Sequence, residues 1–184
     1  MDSFTQRKND VLSKKDKSSL GNWDKKIIKV CDKINFSEKH YTTSSCSGRV
    51  MIIKDEEKKS PGLIQFTSHE RLDFEDFISQ TKKIKEGTYK FKQESVIFHI
   101  ACKNLVSAEE LLKKGQKAGF KRTGIISLSK NIVLEINSTE KMEFPLIEKG
   151  TLLVSEEFLE KVIQKANRNL KKGWEKIKVL ENLI

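Results

Sequence analysis

A chain of 184 residues can build one domain with a real core and is short for two. Its 36 basic and 26 acidic residues leave a net charge of +10, spread along the chain, which suits a polyanion such as RNA or DNA. The same excess fits a plain lysine bias, because only five of the basic residues are arginine. Cys31, Cys46 and Cys102 are odd in number and unpaired in spacing, which argues against a disulfide framework or a zinc knuckle and fits a reducing interior. No run approaches the roughly 18 apolar residues that cross a bilayer. The segment holding Asp2, Arg7, Lys8 and Asp10 lacks the apolar centre of a signal peptide. The expectation is a cytoplasmic protein without membrane attachment, with a monomer favoured.

Phe4, Val11 and Leu12 have helical spacing, as do Trp23, Ile27, Cys31 and Ile34, with turn residues over Asp16 to Gly21 between them. Strands are predicted at about 41–43, 49–54 and 62–68, the last preceded by the Lys-Lys-Ser-Pro-Gly turn. Asp73 caps a helix carrying Phe77 and Ile78 inward, and Gly87 stops it. Tyr89 to Glu94 and Val96 to Lys103 read as a strand pair. Ser107-Ala108-Glu109-Glu110 reads as a capping box, opening a helix that Gly119 closes. Strands at about 124–129 and 131–136 flank a Lys130-Asn131 turn, and a strand near 143–146 and Thr151 to Val154 follow. The last helix takes Ser155 as N-cap and places Glu156 and Glu157 in its first turn, where they favour the helix dipole. Phe158, Leu159, Val162, Ile163, Ala166 and Leu170 form its apolar face, and Gly173 should bend or break it before Trp174. Strands and helices mix without strict alternation. The predicted class is α+β, a mixed β-sheet flanked by helices in a single domain over residues 1–184.

The densest cluster of small hydroxyls is Tyr41-Thr42-Thr43-Ser44-Ser45-Cys46-Ser47-Gly48-Arg49. Small residues and Gly48 let a ligand approach the main chain, Ser44, Ser45 and Ser47 offer hydrogen bonds, and Arg49 can grip a carboxylate or phosphate. The segment reads as a loop built for something anionic or polar, or as a simple connection. Covalent catalysis by Cys46 is disfavoured: only Ser47 and Gly48 separate it from Arg49, and no helix pattern follows to lower the thiol pKa. No glycine fingerprint of a Rossmann site and no phosphate-binding GxxxxGK[ST] occurs, and no HExxH or acid–histidine cluster suggests a metal. His99 lies in the apolar strand Val96 to Ala101, where alternation groups it with Ile97 and Ala101; it reads as a core residue or a proton acceptor. His69 is a similar candidate, and His40 a strand-end residue beside the cluster.

The hydroxyl segment, preceded by Lys33-Ile34-Asn35, resembles the signature of the tRNA wybutosine-synthesizing protein 3 family. The likeness continues in Phe98-His99-Ile100-Ala101-Cys102, Ala108, Leu111-Leu112, Gly119 to Ile125, Ala166-Asn167 and the stretch from Trp174 to Leu180. Asp16, Ser18, Gly21 and Asp24 resemble the polar run near the family's start. It covers nearly the whole chain.

The resemblance implies an S-adenosylmethionine-dependent tRNA methyltransferase on a fold that is not the Rossmann type. Its substrate would be phenylalanine tRNA, methylated at N4 of a tricyclic base beside the anticodon that already carries an aminocarboxypropyl chain. Ser44, Ser45, Ser47, Gly48 and Arg49 would then hold the cofactor, with Arg49 serving the donor's carboxylate or the substrate's. His99, His69 and Arg49 are the catalytic candidates. Tyr41, Thr43, Lys121 and Arg122 are the substrate contacts. Asp24 and Lys26 either support the site or are solvated. Phe66 and Trp174, like Tyr41, could stack on the tricycle or sit in the core. Lys113, Lys114 and Lys117 could track the tRNA backbone with Lys121 and Arg122. Two other readings compete: a non-catalytic RNA-binding module whose serine loop holds a phosphate, and a small-molecule hydrolase using Ser or Cys.

Overall fold

The structure is a computed structural model and describes residues 2–14, 24–56, 62–129 and 131–184. In chain order its elements are α1 (Ser3–Leu12), α2 (Ile28–Phe36), β1 (His40–Cys46), β2 (Arg49–Lys54), β3 (Ile64–Ser68), α3 (Phe74–Lys82), β4 (Tyr89–Glu94), β5 (Ile97–Cys102), α4 (Leu105–Lys117), β6 (Arg122–Leu128), β7 (Ile132–Asn137), β8 (Met142–Glu148), β9 (Thr151–Leu152) and α5 (Glu156–Leu183). The α+β class holds. The strands form two sheets in place of the one mixed sheet expected, ordered β1-β5-β7-β6 and β3-β2-β4-β8-β9, and every pairing is antiparallel. Contacts divide the chain into two compact units, one of Met1–Ser47, Val96–Thr139 and Gly173–Ile184, the other of Gly48–Ser95 and Glu140–Lys172.

In the first unit, strict alternation along β5 and β7 sends Phe98, Ile100, Leu134 and Ile136 to one sheet face. There they pack against Ile27, Val30, Cys31 and Ile34, against Ala108 and Leu111 of α4, and against Ile177 and Leu180 of α5. Burial pushes the Cys31 and Cys102 thiols up to about 12. Among the described residues, the other face carries a small cluster of Phe4, Tyr41 and Ala101 at one end, with the two rings 5.2 Å apart. α4 begins one turn earlier than its sequence signals: Asn104 is the N-cap and accepts from the Ser107 N–H, while Ser107 Oγ receives the Asn104 N–H. Its end is as expected, with Gly119 in the left-handed region at φ 91°.

In the second unit, Val50, Met51, Ile52, Phe91, Leu146 and Ile147 of the sheet are buried, as are Phe77 and Ile78 of α3 and Leu159, Ile163, Ala166 and Leu170 of α5. Phe66, Phe77, Phe91, Phe144 and Phe158 form a chain of ring contacts at 5.0–5.8 Å, so Phe66 is spent on packing. Asp73 caps α3 as predicted, accepting from the N–H groups of Glu75 and Asp76. Asn167 clamps the approach to that helix, giving to the Leu72 carbonyl and accepting from its N–H, both at 2.8 Å.

Four further expectations change. Tyr89 to Glu94 and Val96 to Lys103 are not partners, because β4 pairs with β2 and β8 while β5 pairs with β1 and β7. α3 ends at Lys82, and Gly87, at φ 82°, instead turns the chain into β4. Gly173 does not interrupt α5. A Cβ there would lie 2.6 Å from Val96 Cγ2, so the glycine serves close packing. The hydroxyl segment is not a loop: β1 runs through Cys46, and only Ser47 and Gly48 separate it from β2. The turn residues Asp16 to Gly21, Trp23, Lys58 to Pro61 and Lys130 lie outside the described residues.

Candidate active site

The open face of the first sheet carries a polar row that alternation alone would not assemble. Tyr41 lies opposite Ala101 and Thr42 opposite Ile100, yet Ser44 lies opposite His99, because Thr43 is an extra residue in the ladder. This bulge shifts the pleat by one, so that Ser44 joins the face of Tyr41 and His99. Thr43 anchors its own bulge by donating to the His99 carbonyl at 3.2 Å. Across the sheet the register continues from His99 to Glu135 and from Glu135 to Gly124.

The side chains of that row are joined. Ser44 Oγ is 2.8 Å from His99 Nδ1, and His99 Nε2 is 2.9 Å from Glu135 Oε2. Asn137 Nδ2 donates to the remaining Glu135 oxygen at 3.3 Å. Ser44 is exposed, and the His99 and Glu135 side chains are 29% and 28% accessible. A Cβ built on Gly124 meets nothing within 4 Å, so the sheet surface beside Glu135 is flat and open. Arg122, opposite Asn137, is exposed at the start of the same strand, next to exposed Lys121.

The signature's other hydroxyls turn inward. Ser47 is fully buried and its N–H donates to Asp24 Oδ2 at 2.9 Å. Ser47 Oγ and Asp24 Oδ1 are buried without a hydrogen-bond partner among the described residues. Ser45 points to the helix-covered face, where its hydroxyl sits beside the buried Cys31 thiol. Gly48 adopts φ 89°, a conformation costly for any residue with a side chain. Trp174 does not present its ring as expected of a stacking platform: Lys26 Nζ lies 4.2 Å above it. Tyr41 is 2% exposed against Phe4, which makes it a core residue and no stacking surface for a base.

Arg49 belongs to the second unit and is not the lone charge its sequence suggests. Its Nε holds Glu94 Oε2 at 2.8 Å, and Lys92 Nζ holds the other oxygen at 3.1 Å. Burial raises the Glu94 pKa, but the hydrogen bonds and charges of Arg49 and Lys92 outweigh it and hold the carboxyl below its ordinary value. His69 follows β3, half-buried in the same unit. His40 is a structural pin: Nε2 donates to the Ser107 carbonyl at 2.9 Å, and burial pushes its pKa down.

The structure thus brings together Ser44 and His99, with Thr43 bonded to the His99 carbonyl and Arg122 along the same face. Sequence reasoning missed Glu135, Asn137 and Gly124. Their signal was the alternation Val133-Glu135-Asn137, which puts a carboxylate and an amide on one face of an otherwise apolar strand, and a strand glycine with no turn to make.

The chain is similar over nearly its whole length to proteins of one kind. The family described as Methyltransferase TYW3 matches residues 6–184. A Thermococcus sibiricus protein named tRNA(Phe) 7-((3-amino-3-carboxypropyl)-4-demethylwyosine(37)-N(4))-methyltransferase is 36% identical, over 97% of this chain and 92% of its own length. A Danio rerio tRNA wybutosine-synthesizing protein 3 homolog is 31% identical, over 96% of this chain and 72% of that protein. The solved structure of the PH1069 protein from Pyrococcus horikoshii superposes with a TM-score of 0.85 at 33% identity, covering 97% of this chain and 92% of that one. By sequence and by fold, therefore, the chain belongs to the TYW3 methyltransferase family.

Proposed function

We propose that this protein transfers a methyl group from S-adenosylmethionine to N4 of 7-(3-amino-3-carboxypropyl)-4-demethylwyosine at position 37 of phenylalanine tRNA, the activity its archaeal relatives are named for. The observation that carries the reading is the Ser44–His99–Glu135 row on an open sheet face, which offers a proton acceptor beside a flat surface. S-adenosylmethionine supplies an activated methyl on a sulfonium. The residues present fit that donor: buried Asp24 Oδ1 and Ser47 Oγ are polar atoms without a protein partner among the described residues, suited to an amine or hydroxyls. In the second unit, Arg49 has guanidinium nitrogens that Glu94 does not use and that can engage a carboxylate or phosphate.

The chain's own work is alignment and proton uptake, of which alignment can supply roughly 7–11 kcal/mol. His99 accepts the proton that the ring system releases on methylation; His69 is the alternative acceptor. Lys121 and Arg122, with exposed Lys113 and Lys117, engage the tRNA backbone, so affinity falls steeply with added salt. A base beside the anticodon is already single-stranded, so little unstacking opposes its entry. Residues 1–184 act as one methyltransferase domain, monomeric and cytoplasmic in this reading.

Mass spectrometry of nucleosides from tRNA lacking this methyl group, after incubation with the protein and isotope-labelled donor, tests the proposal. One labelled methyl on the tricyclic base is expected. Unchanged tRNA together with no heat of donor binding in titration calorimetry would sink it in favour of a phosphate-holding RNA module. Ser–His–Glu is also the residue set of a serine hydrolase. Family membership favours methyl transfer, and covalent labelling of Ser44 by a fluorophosphonate would reverse that preference.

A further inference from the structure

We infer that Glu135 is a positioning residue that fixes the His99 tautomer, so that the Ser44 hydroxyl and not the imidazole ring meets the acceptor base. The inference rests on the methyl-transfer reading above. A carboxylate only accepts hydrogen bonds at neutral pH, and Glu135 Oε2 lies 2.9 Å from His99 Nε2. The Nε2 position must therefore carry the ring proton. In the neutral ring Nδ1 is then a lone pair, and its neighbour at 2.8 Å is Ser44 Oγ, the one hydroxyl placed to donate to it. Asn137 keeps the carboxylate from rotating away by donating to Oε1. The oxygen of Ser44, whose hydrogen is committed to His99, then presents lone pairs outward from an exposed position.

That polarity matches the acceptor's need. As the N–CH3 bond forms from a ring-nitrogen lone pair and the S–CH3 bond breaks with its electrons left on sulfur, the tricycle must lose one N–H proton. Ser44 Oγ takes that proton while passing its own hydrogen to His99 Nδ1. The resulting imidazolium is held between Ser44 and the Glu135 carboxylate, and the proton later leaves to solvent. Charge balances: one positive charge leaves the sulfonium and one appears on His99. Gly124 completes the arrangement. It lies directly opposite Glu135 with ordinary strand geometry and no neighbour that a side chain would strike, so nothing within the described protein requires glycine there. A flat aromatic system lying on the sheet does require it, since any side chain would lift the base away from the row.

The test uses the full chain with Glu135→Gln and Glu135→Asp. Long-range proton–nitrogen NMR of the imidazole should show wild-type His99 as the Nε2–H tautomer. Glu135→Gln should give a mixture, because a rotated amide can donate to Nε2, and Glu135→Asp should restore part of the preference. Turnover on the demethyl tRNA should fall on the order of 10²-fold in kcat for Glu135→Gln, with KM for tRNA within about twofold. A wild-type Nδ1–H tautomer, or Glu135→Gln with near-normal kcat, would overturn the inference. Absence of methyl transfer in the wild type would instead defeat the functional reading, while the tautomer measurement still decides whether Glu135 governs His99.

Discussion

Each sheet carries a polar row across its strands, and the two rows are resolved in opposite ways. In the second unit Arg49, Lys92 and Glu94 neutralise one another, as Lys90 does with Asp55 and Glu143 at 3.2 and 2.8 Å. Each charge of that row has a counter-charge within the unit, which is how a half-exposed sheet face is kept soluble and in register. In the first unit the row runs from a carboxylate, itself opposite a strand glycine, through an imidazole to a hydroxyl that ends in the open. Closed pairs hold a fold together, whereas a directed chain of hydrogen bonds with one free end can accept a proton from something else.

The largest effect should come from cutting the directed row. His99→Ala is expected to lower turnover by about 10²–10⁴-fold, the range for losing a general base, with circular dichroism unchanged. Equal activity in His99→Ala and loss in His69→Ala would move the proton acceptor to the second unit. A smaller effect should follow from Gly124→Val: the added side chain enters open space, so thermal stability should hold or rise with better strand propensity, while KM for tRNA rises about tenfold. An unaltered KM would mean that no base lies on that surface. The smallest effect concerns the closed row. Because Glu94 is held below its ordinary value of 4.5, its contribution to stability is present above that pH and is lost as pH falls through the lowered value. The half-exposed pair contributes about 1 kcal/mol at most. Arg49→Ala should therefore flatten the acid-side loss of stability. If Arg49 also grips a carboxylate or phosphate, the variant abolishes methyl transfer even when Glu94→Ala does not, which nucleoside mass spectrometry would separate.

Local signals carried much of the architecture. The cap at Asp73, the left-handed Gly119 and the apolar face of α5 follow from short-range chemistry, and all are present. Which strand pairs with which does not follow from such signals. Tyr89 to Glu94 and Val96 to Lys103 look like a hairpin because they are adjacent and complementary in pattern, yet each finds partners far along the chain. The site was legible in half. Ser44, His99 and Arg122 stood out by residue type and by the family likeness. Glu135 did not, because its meaning arises only when β7 is laid beside β5. Ser44 itself reaches that row through a one-residue bulge at Thr43, and strict alternation places it on the wrong side of the sheet. The ion pair of Arg49 was not legible, since its partner Glu94 lies 45 positions away, beyond any local pattern.

The two deeply buried thiols have a practical consequence. With values near 12, Cys31 and Cys102 hold only about one thiolate in 10⁵ at neutral pH, and neither is accessible to a reagent. Cys46 is half-buried and lies on the Ser44 side of β1, two residues beyond it. A maleimide dye added to the native protein should thus settle on this one sulfur, giving an optical reporter of ligand arrival without engineering a new attachment point.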